Sequence, residues 1–346
     1  MTEYKGTKGG AVQNFEEDPD NPYVGQVWYN ETTGNLRVRQ TTLTSAWASG
    51  GNMNTARGYG YGTGTQTAAL SFNGEGPPDT TVTESYDGTS WTEVNDMNTA
   101  RQQLAGAGTQ TSSLGFGGNN PPSYNLNELW NGTNWTEVNN LNTGRYGRMG
   151  SSGTDNTSAL GFGGRTGPAL PAGNSALTES WNGTNWTEVN DMNTARYSIG
   201  GFGTQTSAIV FGGESTATEL WNGTNWATVN SLNTERQNTA GAGASNSSGI
   251  AFGGGPPATV NTETWDGITW TEMNNMSDSR FGLNGAGTQT TAIASGGFQP
   301  PAPSTGATEE WNADFAYGVW ATGGNMNTGR DSLSGTAGTA TTALAF

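Results

Sequence analysis

Apolar and polar residues alternate along this chain in short runs, each bounded by Gly, Asn, Thr or Ser clusters, and helical periodicity is absent throughout. The unit that begins at Asp191 shows the pattern most clearly. A first strand is expected over Tyr197 to Gly203, and a Gly-Thr-Gln-Thr turn leads from it into an apolar strand, Ser207 to Gly213, that ends in Phe-Gly-Gly. A variable loop precedes a third strand, Thr218 to Trp221. Asn222-Gly223 follows as a hairpin turn, because both central positions of a type I′ turn require φ > 0. The fourth strand carries Trp226 and Val229.

Near-copies of this unit run along the chain, each marked by a Trp followed ten residues later by an Arg. The pairs are Trp47/Arg57, Trp91/Arg101, Trp135/Arg145, Trp186/Arg196, Trp226/Arg236, Trp270/Arg280 and Trp320/Arg330. Successive arginines are 44, 44, 51, 40, 44 and 50 residues apart, so length varies only outside the fixed interval. Four short strands repeated seven times at this spacing predict an all-β, seven-bladed β-propeller rather than a sandwich.

The ends fit a ring. The last unit reaches Phe346 after its second strand, Thr341 to Phe346, while strand-like Val24 to Asn30, Leu36 to Gln40 and Trp47 precede the first Arg. N- and C-terminal strands are therefore expected to share one closing blade, with either Val24–Asn30 or Leu36–Gln40 as its third strand. Such closure removes the free edges of an open array. The expected organisation is an N-terminal arm over 1–23 and a propeller over 24–346, with 24–50 completing the last blade.

Composition sharpens the picture. Few aliphatics and a net charge of −16 would ordinarily indicate disorder, but 13 Trp, 10 Tyr and 55 Gly supply buried area and tight turns. With no Cys and no His, the chain has no thiolate nucleophile, no His-based triad and no nitrogen or sulfur ligands for zinc, copper or haem. No metal and no cofactor is expected. The acidic balance disfavours nucleic acid and anionic lipid, and no apolar run approaches the roughly 18 residues of a membrane span. The first ten residues lack the apolar stretch of a secretory signal, so synthesis and first residence in a cytoplasm are expected.

At Met-Asn-Thr-Ala-Arg, then Phe-Gly-Gly, then an aromatic and a Trp, the unit resembles kelch repeats. Tyr86-Asp87 with Trp91 is the closest copy, and Trp replaces that Tyr at 130, 181, 221, 265 and 311. The doublets are Gly117-Gly118, Gly163-Gly164, Gly212-Gly213, Gly253-Gly254 and Gly296-Gly297, with Asn73-Gly74 in the first unit. The resemblance covers roughly 43–346 and implies a fold more than a function, since one propeller type hosts enzymes, adaptors and lectin-like binders. The arm holds the only lysines, Lys5 and Lys8, and an acidic patch from Glu16 to Asp20. The hairpin from Gly25 to Val38 then resembles short N-terminal modules of phage tail-fibre proteins. The body, rich in Asn, Thr, Gly and Ser, also resembles repeat proteins of marine phages.

Each repeated residue has a plain structural reading. The seven Trp are expected as inter-blade core rather than a sugar-stacking array. The seven Arg are expected to pair with carboxylates or carbonyls, and Glu84, Glu128, Glu179, Glu219, Glu263 and Glu309 on the third strands offer partners. The Asn-x-Thr matches at Asn131, Asn134, Asn182, Asn185 and Asn222 read as turns, and Asp155-Asn156 and Asp278 lack an EF-hand-like loop for calcium. No acidic pair stands apart from the repeat as glycosidase chemistry would require, so no catalytic residue is expected.

Variation concentrates between the doublet and the third strand, in loops 74–82, 119–127, 165–177, 255–261 and 298–307. These connections and the fourth-to-first ones share one face, opposite the near-uniform GTQT and NGTN turns. Variable, proline-stiffened loops are where repeat proteins recognise partners. Candidate binding residues are Tyr124, Asn125, Arg165, Pro168, Asn174, Pro257, Gln299 and Pro301. The expected role is a structural protein of a phage virion, a tail-fibre or appendage component. Its arm or hairpin would dock on other virion proteins and its loop face would meet host glycan or protein. Capsid or baseplate decoration and a free lectin-like or adaptor propeller are the alternatives. A homo-oligomer is compatible with this, although no coiled-coil heptads enforce a trimer.

Overall fold

A computed structural model describes residues 13–17, 27–32, 35–38, 45–76, 79–121, 124–166, 173–301 and 304–313. Among them there are strands, turns and loops and no helix. They belong to two compact units, Ser45–Ala313 and a second one drawn from Met1–Thr44 and Asp314–Phe346. In the second unit Val27–Asn30 and Asn35–Val38 form the expected antiparallel hairpin, and Gln13–Phe15 of the arm adds to it as a parallel strand.

Ser45–Ala313 is a β-propeller whose described residues form six four-stranded antiparallel blades. The first blade is Tyr61–Thr65, Ala68–Gly74, Thr80–Tyr86 and Trp91–Val94. The second is Ala105–Thr109, Ser112–Phe116, Asn127–Trp130 and Trp135–Glu137. The third is Gly150–Asp155, Ser158–Phe162, Thr178–Trp181 and Trp186–Val189. The fourth is Ile199–Thr204, Ser207–Gly212, Thr218–Trp221 and Trp226–Val229. The fifth is Ala240–Ser245, Ser248–Phe252, Thr262–Trp265 and Trp270–Glu272. The sixth takes Asn284–Gly287, Thr291–Ser295 and Thr308–Asn312 from the C-terminal side and Ala46–Ser49 from the N-terminal side.

Two sequence expectations are met only in part. The ring of described residues closes with six blades where seven were expected, and the seventh unit, with Trp320, Arg330 and Thr341–Phe346, lies outside the described residues. The third strand of the sixth blade is Thr308–Asn312, and among the described residues of 24–50 it is Ala46–Ser49 that enters this blade, while Val27–Asn30 and Asn35–Val38 pair with each other in a separate sheet. The physical reason is a side-chain register shared by all blades. The aromatic that ends the third strand pairs across with the Trp that begins the fourth, as in Trp130↔Trp135 and Trp221↔Trp226. Trp311↔Trp47 reproduces that pair, and the sixth blade then meets the first directly.

The blades are joined by the repeated residues. Five of the six outer-strand indoles pack on the second-strand Phe of the preceding blade, with ring centroids 4.7–5.1 Å apart for Phe72–Trp135, Phe116–Trp186, Phe162–Trp226, Phe211–Trp270 and Phe252–Trp47. The same indole N–H donates to a Thr hydroxyl of that blade at 3.0–3.1 Å, from Trp47 to Thr262, Trp91 to Thr308, Trp135 to Thr83, Trp226 to Thr178 and Trp270 to Thr218. The Gln or Asn of the first turn donates back to the preceding blade's aromatic carbonyl, as Gln110 does to Tyr86 and Asn156 to Trp130. Gln66 makes this bond to Trp311 at 2.7 Å, so the sixth-to-first joint uses the same latch as the others.

Glycine lets the blades come this close. A Cβ on Gly161 would stand 2.6 Å from the Phe116 ring, inside the van der Waals limit. The sixth blade has Ser295 where the others carry Phe, so Trp91 keeps the within-blade ring contact common to all six blades, to Tyr86 at 4.9 Å, without the inter-blade one.

Candidate recognition face

The loop face is held level by buried ion pairs. Arg57, Arg101, Arg145, Arg196, Arg236 and Arg280 are all buried and each contacts the third-strand Glu of its own blade: Glu84, Glu128, Glu179, Glu219, Glu263 and Glu309. Five of these contacts measure 2.5–3.0 Å, and Arg236–Glu263 is the sixth. Burial pulls each guanidinium pKa down, and the paired carboxylate works against that. The Glu also accepts from the backbone N–H at the start of the loop, as from Asn54, Asn98 and Asn193 at 2.7 Å. These carboxylates are thereby committed to structure.

Directly after each Arg the backbone turns left-handed and passes from blade to blade. Tyr59, Gln103, Arg148, Ser198 and Asn238 have φ between 52° and 57°, and Gly282 takes the same role at 64°. Hydrogen bonds run around the axis through these turns, from Gln103 N to Tyr59 O, Arg148 N to Gln103 O, Ser198 N to Gly147 O, Asn238 N to Ser198 O, Gly282 N to Asn238 O and Tyr59 N to Gly282 O. The ring of bonds is complete across all six blades, and left-handed φ at non-glycine residues marks a backbone held by its surroundings.

Outside this annulus the post-Arg residue faces the residue after the doublet. Gly58 bridges Glu75, Gln102 bridges Asn119, Tyr146 pairs Arg165 and Phe281 bridges Phe298, while the Tyr197 hydroxyl donates to Glu214 at 2.8 Å. These rim positions differ from blade to blade on a frame that hardly varies. They include half-buried aromatics in three groups. Tyr124 and Tyr146 lie 5.1 Å apart, the Arg165 guanidinium sits 4.4 Å from the centre of the Tyr197 ring, and Tyr59, Phe281 and Phe298 cluster at 4.9–6.2 Å.

Electrostatics on this rim is local. The hydrogen bond to Glu214, then burial, raises the Tyr197 phenol pKa. Burial raises the Glu75 and Asp79 carboxyls, and Asp79 accepts from Gln102 at 3.4 Å. Between the fourth and fifth blades an open cavity of about 400 Å³ is lined by Glu214, Glu235, Gln237, Pro256, Pro257 and Ala258, among others.

The expected binding residues are scattered around this face. Arg165 and Asn174 are brought together by a backbone bridge, with Asn174 exposed. Tyr124 packs on Tyr146, and Asn125 is tied to Leu141 by main-chain and side-chain hydrogen bonds. Pro257 and Pro301 are exposed, Gln299 is half-buried and Pro168 lies outside the described residues.

Sequence reasoning passed over Tyr59, Tyr146, Tyr197, Gln237 and Phe281. The signal was present: the residue after each repeated Arg reads Gly58, Gln102, Tyr146, Tyr197, Gln237 and Phe281, changing almost every time. The Asn-x-Thr residues sit in turns, where Asn131 accepts from the backbone of Thr133 and Asn134. Asp155 likewise caps its own turn at Thr157. Among the described residues no group of three or more acidic side chains is placed to hold a metal ion. Compared with protein-family models and with curated proteins, the chain matches none of either.

Proposed function

We propose that this chain is a non-catalytic recognition propeller whose loop face binds carbohydrate on a host-cell surface, carried as an appendage of a phage particle. The observation that carries the reading is the confinement of variation. One face repeats near-uniform turns, while the other presents three different half-buried aromatic groups with Gln, Asn and Glu around a single axis. Aromatic rings offer apolar faces to the C–H faces of sugars, and amides and carboxylates match their hydroxyls. The rim is pre-built on hydrogen-bonded backbone, which lowers the ordering cost of binding.

Two resemblances support the setting: the repeat unit to kelch units, and the Gly25–Val38 hairpin to phage tail-fibre modules. In this reading the arm and hairpin hold the chain to other virion proteins. The carboxylates of the repeat are paired with Arg, which favours binding over acid–base chemistry. The seventh unit also has a place in this proposal. Trp320–Arg330 matches Trp47–Arg57 at nine of eleven positions, so it is a second sequence-matched strand for the edge of the sixth blade and the route by which a seventh blade would join.

Quantitative mass spectrometry of gradient-purified particles, paired with adsorption competition by soluble protein, tests the proposal. A fixed copy number together with blocked adsorption is expected. A fixed copy number without competition would make the chain a decoration protein, and a wholly soluble protein would remove the virion setting.

A further inference from the structure

Among the described residues seven arginines are buried in the propeller, and six of them have a carboxylate partner. The seventh is Arg148, on the left-handed turn of the third blade. No carboxylate lies within ion-pair distance of it among the described residues. Its side chain crosses the propeller axis, and Nη2 donates to the Leu283 carbonyl of the opposite, sixth blade at 3.0 Å. Nη1 is buried and has no hydrogen-bond partner among the described residues. The aromatic neighbours are Tyr59, with its ring centre 6.0 Å from the guanidinium carbon, and Tyr61, whose hydroxyl is bonded to Ser151. Both are neutral phenols, and burial raises their pKa values further.

The guanidinium lines an axial cavity of about 20 Å³ together with Tyr61, Asn284 and the glycine backbone of several inner strands. That is room for a single occupant of about water size. A buried, unpaired guanidinium is strongly disfavoured, and Arg cannot escape the penalty by losing its proton. We propose that the axial cavity is a binding site for one monatomic anion of the halide class, held by the free Nη1–H of Arg148. A space of about 20 Å³ matches a monatomic ion, and the wider axial space of about 110 Å³ that shares Tyr61 and several inner-strand glycines is not lined by Arg148. The site therefore lies beneath the recognition rim and does not depend on what the rim binds. Its occupant neutralises the one unpaired buried charge at the centre of the ring and so couples the third blade to the sixth.

The test compares thermal unfolding of the full chain in sodium chloride and in sodium gluconate at equal ionic strength, with anomalous diffraction from wild-type crystals soaked in bromide. The expected results are a saturable rise in Tm of a few degrees specific to chloride, absent in Arg148→Met, and an anomalous peak beside Nη1. Equal melting in both salts, or a chloride effect retained in Arg148→Met, would overturn the assignment. So would a bromide-soaked crystal with no peak beside Arg148, because the cavity would then hold water alone. The crystal measurement uses the wild-type protein and stands even if the Met variant does not fold.

Discussion

Five of the six inter-blade indoles donate to a threonine hydroxyl, and the exception makes a quantitative prediction. Asn127 stands where the other blades have Thr83, Thr178, Thr218, Thr262 and Thr308, and both the Trp186 Nε1–H and the Asn127 Oδ1 are buried without a partner. Asn127→Thr would place a hydroxyl at the acceptor position. A buried hydrogen bond contributes about 1 kcal/mol net, and an unsatisfied buried group costs about 1–3 kcal/mol. Against this, the variant loses the Asn127 Nδ2–H bond to the Asn139 carbonyl at 3.0 Å, although Asn139 is exposed and water can take over. The expected net stabilisation is about 1–2 kcal/mol, or a rise in Tm of roughly 2–6 °C for a domain of this size. The reverse change, Thr178→Asn, removes the acceptor of Trp226 and should destabilise by a similar amount. Urea unfolding of both variants, with Asn127→Thr repeated in a Trp186→Phe background, isolates the indole bond. The reasoning is refuted if Asn127→Thr stabilises equally with Phe at 186, or if both single variants are neutral.

Further outcomes follow from the same geometry. Arg101→Met leaves Glu128 buried without its cation and should cost about 3–5 kcal/mol in chemical denaturation, part of which Arg101→Met/Glu128→Gln recovers. Tyr86 donates to Glu310 at 2.6 Å, and burial first, then Glu310, pushes its phenol pKa up to about 12. The fold thus favours the neutral phenol, so its contribution is complete below about pH 10 and is lost as pH rises towards 12. Tyr86→Phe should be less stable at neutral pH yet lose less stability across that alkaline window, as pH-dependent melts will show. Ala46 and Asn312 are cross-strand partners in the closing blade, and the chain has no cysteine. A disulfide between Ala46→Cys and Asn312→Cys should form on mild oxidation and add about 4 kcal/mol or more by closing a very long loop. Preferential formation of the Val319→Cys/Asn312→Cys bond would show that the C-terminal strand holds this edge instead.

How much could be read beforehand depended on how local the signal was. The blade was legible because each strand is bounded by turn chemistry, and the Trp-to-Arg interval sets a fixed frame within the unit. The third-strand Glu was legible as one of two kinds of partner for the repeated Arg, carboxylate or carbonyl, and the structure shows that both are used. Seven repeat units were legible, and six of them are blades among the described residues. Trp47 and Trp320 carry nearly the same flanking residues, and local pattern cannot decide which of two similar strands an edge takes. The variable rim was found only in part. The long loops attract attention by length, whereas Tyr146, Tyr197 and Phe281 each occupy one variable position beside a repeated Arg. Arg148 looked unremarkable in sequence because its partner, Leu283, comes from the opposite blade.

The central claim is that the variable rim, and not the uniform face, recognises the host surface. Binding isotherms to purified host surface polysaccharide test it most directly, comparing wild type with Tyr197→Ala/Arg165→Ala on the rim and Ile268→Ser on the opposite face, where Ile268 is 70% exposed. The account predicts at least a tenfold loss of affinity for the rim variant, with unchanged melting, and wild-type binding for Ile268→Ser. Full binding by the rim variant, together with loss on changing Ile268, would contradict it.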